Sequence, residues 1–179
     1  MRHTMLLLLS LCTAIACTSQ TNKVVASSSE PVPQQPTPTP EASLGEIPTD
    51  SLLFVSDMEE AKALAEARDQ DILLVFAGSD WCRPCKQFKL SVLDDSSFRQ
   101  NFKDELLVLY LDFPSKRRNQ LSEPQQAHNN RYAEQYNPEG LFPRLFLLDA
   151  GQETLGELKY AGEDAESFEA QLRSTQKSR

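Results

Sequence analysis

Cysteine and histidine are both scarce in this chain of 179 residues, with four of the first and two of the second. Cys12 and Cys17 fall in the N-terminal segment, so the part able to fold holds Cys82 and Cys85 alone. No structural disulfide separate from that pair can exist there. A zinc site takes four ligands, and His128 is the one histidine beside the two thiols, so no metal is expected. Haem attachment needs a histidine directly after the second cysteine, where Lys86 stands. Positive charge is also in short supply: 18 Lys and Arg face 26 Asp and Glu, for a formal charge of −8. Without a basic stripe, nucleic acid is not an expected partner. The apolar run at the front, Met5 to Leu11, falls well short of the ~20 residues a bilayer-spanning helix requires. There is no internal repeat.

What the front does have is Arg2, that apolar run, and small residues before Cys17. Residues 1–16 thus have the layout of a secretory signal peptide. Ala14-Ile15-Ala16-Cys17 resembles a bacterial lipobox, whose cysteine is lipidated and becomes the mature N-terminus, although Ala14 stands where Leu is commonest. An ordinary cleaved signal leaving Cys17 as a stray thiol is the alternative. Several acyl chains on Cys17 give stable anchoring. In a cell with two membranes, the resemblance to lipoproteins, with Thr18 in place of an acidic residue after the cysteine, implies the outer one. Removal of residues 1–16 takes away Arg2 and no acid, moving the charge from −8 to −9 and keeping the domain soluble beside an anionic surface. Residues 17–50 are rich in Ser, Thr, Gln and Pro, including Pro36-Thr37-Pro38-Thr39-Pro40. Too few large apolar side chains are present to offset the entropy of ordering, so a disordered tether is expected, spanning roughly 30 Å. A folded domain over residues 51–174 and a flexible tail at 175–179 complete the expected organisation.

Within the domain the hydrophobic pattern predicts its elements. Leu52 to Val55 reads as a short strand, and Ser56 three residues before Glu59 as a capping box opening a helix. Met58, Ala61 and Ala65 line the inner face of that helix. Ile72 to Phe76 and Leu106 to Leu111 are continuous apolar runs, the mark of strands buried on both faces. Between them, after the turn Gly78-Ser79-Asp80, Cys82 to Leu93 reads as a helix with Cys85, Phe88 and Val92 inward, followed by a minor helix near Ser97 to Lys103. Pro114 to Gln126 reads as a long loop and Ala127 to Tyr136 as a helix. Leu145 to Leu148 and Leu155 to Tyr160 form a hairpin around Asp149-Ala150-Gly151-Gln152. Ala165, Phe168 and Leu172 mark a last helix. The order β-α-β-α-β-α-β-β-α is that of an α/β fold, with a central mixed sheet parallel in its first half and ending in an antiparallel hairpin.

Chemistry concentrates in Asp80-Trp81-Cys82-Arg83-Pro84-Cys85-Lys86, between a buried strand and a helix. At a helix start the first sulfur lies beside unsatisfied N–H groups and the positive end of the helix dipole. Both favour thiolate over thiol and lower the pKa of Cys82 below the free value. Arg83 and Lys86 add positive charge, and Pro84 suits an early helical position that needs no N–H. A purely structural disulfide closing so short a loop adds little chain entropy. Redox chemistry is the favoured reading.

This string, together with Phe142-Pro143 before the Leu145 to Leu148 strand, resembles the thioredoxin superfamily. The Gly-Ser-Asp-Trp-Cys lead-in is similar to exported domains related to thiol-disulfide interchange proteins. The resemblance spans about Leu52 to Leu172. It implies a thioredoxin fold, Cys82 as nucleophile, Cys85 as resolving thiol, Trp81 flanking the sulfurs, and Pro143 held in cis beside them. Read without the family, Pro143 is a residue at a strand start, where a missing N–H is tolerated. Two departures stand out. Thioredoxins carry a buried acid in the strand before the motif, where this chain has Leu74, Val75 and Phe76, leaving the proton relay absent or served by Asp80, Lys86 or water. Phe142 replaces a smaller residue before the proline, at a position that touches substrate and influences redox poise.

The resemblance thus implies a membrane-anchored thiol-disulfide oxidoreductase, reducing or interchanging disulfides of exported proteins. Its partners would be disulfide-containing or dithiol exported proteins and a redox partner protein, with no bound cofactor. Both directions of electron flow stay open. The rival is a redox-inactive lipoprotein binding module on the same scaffold, suggested by the missing acid and by Phe142. Lys116-Arg117-Arg118 reads as a solvated loop with a possible pull on acidic partners, and His128 as an ordinary helix residue.

Overall fold

The computed structural model describes residues 51–178. The expected signal peptide, Cys17 and tether lie outside the described residues. The strands are β1 (Leu53–Val55), β2 (Asp71–Ala77), β3 (Leu106–Asp112), β4 (Arg144–Leu148) and β5 (Thr154–Leu158). The helices are α1 (Met58–Arg68), α2 (Arg83–Phe88), α3 (Ser96–Phe102), α4 (Glu123–Tyr136) and α5 (Ala165–Gln176). One five-stranded sheet runs β1-β3-β2-β4-β5. β3 pairs in parallel with both β1 and β2, β4 lies antiparallel to β2, and β5 antiparallel to β4. The expected mixed sheet flanked by helices is the one observed.

Side-chain alternation along the strands splits the core into two layers. Leu73, Val75, Val108, Leu145 and Leu147 face Phe88, Val92, Phe98, Phe102, Phe168 and Leu172, which α2, α3, α5 and the turn after α2 supply. Ile72, Leu74, Phe76, Leu107, Leu109 and Leu111 face Met58, Ala61, Leu64 and Ala65 of α1 and Tyr132 of α4. Both faces are covered, which is why β2 is apolar from Ile72 to Ala77.

The differences from the sequence reading sit at element ends. Asp57, not Ser56, caps α1: its carboxylate accepts from the Glu60 amide at 3.0 Å. A charged cap gains from the helix dipole as a hydroxyl does not. The adjacent Met58 N–H donates to Nε2 of His128 at 3.0 Å, so His128 ties α4 to the start of α1 rather than idling on a helix. The Ser56 carbonyl takes the Gln125 side chain instead. α4 starts at Glu123, before the expected Ala127, because Ser122 caps it and Pro124 fits its first turn. The loop ahead of it contains a 3₁₀ turn, Arg117–Asn119. α5 continues to Gln176, past the expected boundary at 174. Among the described residues, no helix is long and apolar enough to cross a membrane.

Candidate active site

Parallel β2 and β3 end side by side, with Phe76 opposite Leu111 and Ala77 opposite Asp112. The segments leaving their carboxyl ends therefore meet, at the edge where open α/β sheets place their sites. Asp112 fastens the junction: its carboxylate accepts from the Ser79 amide at 2.8 Å and the Ser79 hydroxyl at 2.6 Å. The chain then turns tightly, the Cys82 amide donating to the Gly78 carbonyl at 2.9 Å.

Cys82 is the N-cap of α2, and the helix proper begins at Arg83, one residue later than the sequence suggests. Its sulfur accepts from the Cys85 amide at 3.2 Å, one of the donors a helix start leaves unsatisfied. Cys82 and Cys85 are joined in a disulfide, with their Cα atoms 5.3 Å apart. Cys85 is sealed in the core, whereas Cys82 keeps 4% of its surface exposed. Arg83 and Lys86 are exposed, and Pro84 occupies the first turn as expected. From Lys89 to Leu93 the helix widens into a π turn, closed by the Asp94 amide on the Lys89 carbonyl. Phe88 and Val92 still face inward.

Trp81 is 47% exposed yet fixed in place. Its Nε1–H donates to the Phe113 carbonyl at 2.7 Å, and its ring meets Phe142 edge-on at 5.2 Å. The indole lies against Gly78 so closely that a Cβ there would sit 2.3 Å from Cε2 of Trp81. Phe142 in turn packs edge-on against Phe113 at 5.5 Å. The Phe142–Pro143 peptide is cis, and the Trp81–Phe142 contact brings it to the motif. Leu141, just before it, is 51% exposed.

Asp80 does not face the thiols as a proton relay would. One oxygen accepts from the Ser115 amide at 2.9 Å, the other from the Lys116 amide and Asn119 Nδ2, each also at 2.9 Å. These bonds, the Ser115 amide first, hold its carboxyl down to about 2, against the smaller opposing effect of desolvation. Lys86 points to solvent. β2 offers no carboxylate beside the motif, since Leu74, Val75 and Phe76 are all fully buried, and Asp71 stands at the start of the strand.

The structure thus brings together Trp81, Cys82, Arg83, Pro84, Cys85, Lys86, Phe142 and Pro143, while Cys17 lies outside the described residues. The sequence reading passed over Asp112, Phe113 and the indole seat at Gly78. The signal for the first two was their place directly after an apolar strand parallel to β2. Among the described residues no group of three or more His, Cys, Asp and Glu could hold a metal ion.

A mixed sheet with a Cys-x-x-Cys disulfide opening a helix, beside a cis-proline, defines the thioredoxin class of thiol-disulfide oxidoreductase folds. The thioredoxin-like family model matches residues 54–150, and the chain belongs to that family. Among solved structures it is similar to a DsbH oxidoreductase, with 25% identity and a TM-score of 0.64 over 79% of this chain and 96% of that one. It shares its fold with a thioredoxin from Thermus thermophilus (22% identity, TM-score 0.51, 69% and 86% covered). A redox protein from Chlamydomonas reinhardtii matches likewise (22%, 0.52), over 74% of this chain and 37% of that one. No curated protein matches the chain.

Proposed function

We propose that this protein is a lipid-anchored, exported thiol-disulfide oxidoreductase that reduces or interchanges disulfides of exported proteins through Cys82 and Cys85. The observation that carries the reading is the disulfide closed on the N-cap of α2, with its sulfur against a helix amide. In the reduced protein the same amide and helix end favour the Cys82 thiolate. That thiolate attacks one sulfur of a substrate disulfide, the substrate S–S bond breaks, and the displaced sulfur leaves as thiolate to take up a proton. Cys85, deprotonated, then attacks Cys82, re-forming the disulfide seen here and releasing the second substrate sulfur. Two electrons pass to the substrate, and a dithiol donor must restore the pair. β2 places no carboxylate beside the motif, so the Cys85 proton passes to water.

The surroundings suit a protein substrate. Trp81, Leu90 and Leu141 are the exposed large apolar residues among those described, and each lies on the motif, its helix or the approach to the cis-proline. The DsbH likeness supports oxidoreductase work. Residues 1–16 are read as signal peptide, Cys17 as lipid site and 17–50 as tether, on the sequence features given above.

Insulin reduction driven by dithiothreitol tests the redox reading. The wild type should accelerate it and Cys82→Ser should not. Equal rates for the two would favour a binding module.

A further inference from the structure

This acidic chain carries exposed cations on two segments next to its reactive pair. Arg83 and Lys86 stand exposed on α2, beside Leu90 in a shallow depression completed by Gln87 and Ser91. Lys116, Arg117 and Arg118 stand exposed on the loop after β3. That loop is not free to drift: Asp80, two residues before Cys82, grips the Ser115 and Lys116 amides and the Asn119 side chain. The grip fixes three side-chain cations beside the motif using backbone amides, and leaves their own charges unspent. Among the described residues, none of the five lies within ion-pair distance of a carboxylate. Of the ten other described cations, Lys62, Lys89, Arg99, Arg144 and Arg173 are paired with carboxylates, and Arg68, Lys103, Arg131, Lys159 and Lys177 are not, so what sets the five apart is their place beside the motif. The carboxylates bonded to the turn or its loop are Asp80 and Asp112, two negative charges against the loop's three positive, with Arg83 and Lys86 adding two more on α2.

We infer that this rim selects acidic polypeptides, that is, disulfides flanked by Asp or Glu. The inference rests on the redox reading and names its substrate class. Two features give the arrangement direction. The rest of a chain of net charge −8 repels an acidic partner, while the rim attracts it, so encounters are steered towards Cys82. The exposed Trp81, Leu90 and Leu141, on the motif, its helix and the approach to the cis-proline, then supply apolar contact. Because the cations are solvent-exposed, the steering works over about a Debye length, ~8 Å at physiological salt, and fades as salt rises.

The test uses the full-length protein in a Cys17→Ala background, reduced, and mixed with three oxidised substrates. Two are disulfide peptides of one sequence with the cystine flanked by Asp or by Lys; the third is the neutral hydroxyethyl disulfide. At low salt the Asp peptide should be reduced roughly tenfold faster than the Lys peptide, and the gap should shrink at about 0.3 M salt. In the triple variant Lys116→Glu, Arg117→Glu, Arg118→Glu the gap should close, with the hydroxyethyl disulfide rate unchanged. Equal peptide rates in the parent protein overturn the inference, as does a gap that survives in the variant. Phosphatidylglycerol vesicles bound by the parent and not by the variant, with no peptide discrimination, would assign the cations to a lipid surface and overturn it too. Failure to reduce even the neutral disulfide would instead sink the redox reading.

Discussion

Trp81 is the only tryptophan in the chain, so its fluorescence reports directly on the surface beside the disulfide. Its position depends on Gly78 having no side chain, because the first added carbon would overlap the indole. In Gly78→Val the ring must leave its seat, losing the bond to the Phe113 carbonyl and the contact with Phe142. We predict red-shifted emission and a loss of about 1–3 kcal/mol of stability, read by urea denaturation. Unshifted emission would show that the indole was not seated there. Asp80 makes a second prediction. Its folded pKa, about 2, lies below the ordinary 3.8. Its contribution to stability is therefore complete above the unfolded value and lost as pH falls through about 2. The stability gap between wild type and Asp80→Asn should be constant above about pH 5 and shrink from about pH 4 towards pH 2. A gap that widens on acidification would contradict the assignment. Neither role was legible beforehand. The Gly-Ser-Asp turn could be read as a turn, but the partners that fix Asp80 and Trp81 sit more than 30 positions away, on the loop after β3. Spacing along the chain carries no trace of such bonds.

At the scale of elements, β2 and β3 were legible because burial on both faces leaves an unbroken apolar run, and α2 because Pro84 and the cysteines mark its start. The antiparallel seating of β4 against β2 was not, since strand direction follows from the path of the chain rather than from side-chain alternation. The start of α1 shows how a local rule yields to tertiary structure. Ser56 and Glu59 fit a capping box, but His128, 70 residues on, takes the Met58 amide and moves the cap to Asp57. Asp57→Ala should cost about 1 kcal/mol, while Ser56→Ala stays within about 0.5 kcal/mol of wild type. Thermal unfolding of the two variants decides it, and the reverse order would restore Ser56 as the cap. The π turn at Lys89–Leu93 left no mark in the sequence; Phe88 and Val92 keep helical spacing across it, and Asp94 ties the turn to Lys89 and Arg99.

At the scale of the whole molecule, we propose that a polar tether over residues 17–50 joins the folded redox domain to a membrane. Detergent partitioning tests it. The wild type expressed in a lipoprotein-processing bacterium should enter the detergent phase and Cys17→Ala the aqueous phase; identical partitioning would remove the anchor. The domain itself hangs on one chemical assignment, that Cys82 is the sulfur which meets substrate and Cys85 the one that releases it. Their burial agrees with this division, since Cys85 is sealed and Cys82 retains a small opening between exposed neighbours. The most direct measurement is intact-mass analysis of reduced Cys85→Ala after incubation with a disulfide peptide. The account predicts a stable mixed disulfide on Cys82, heavier by one peptide thiol and released by dithiothreitol, and no adduct in Cys82→Ser with Cys85 intact. An adduct that forms on Cys85 instead, or none on either variant, would contradict it.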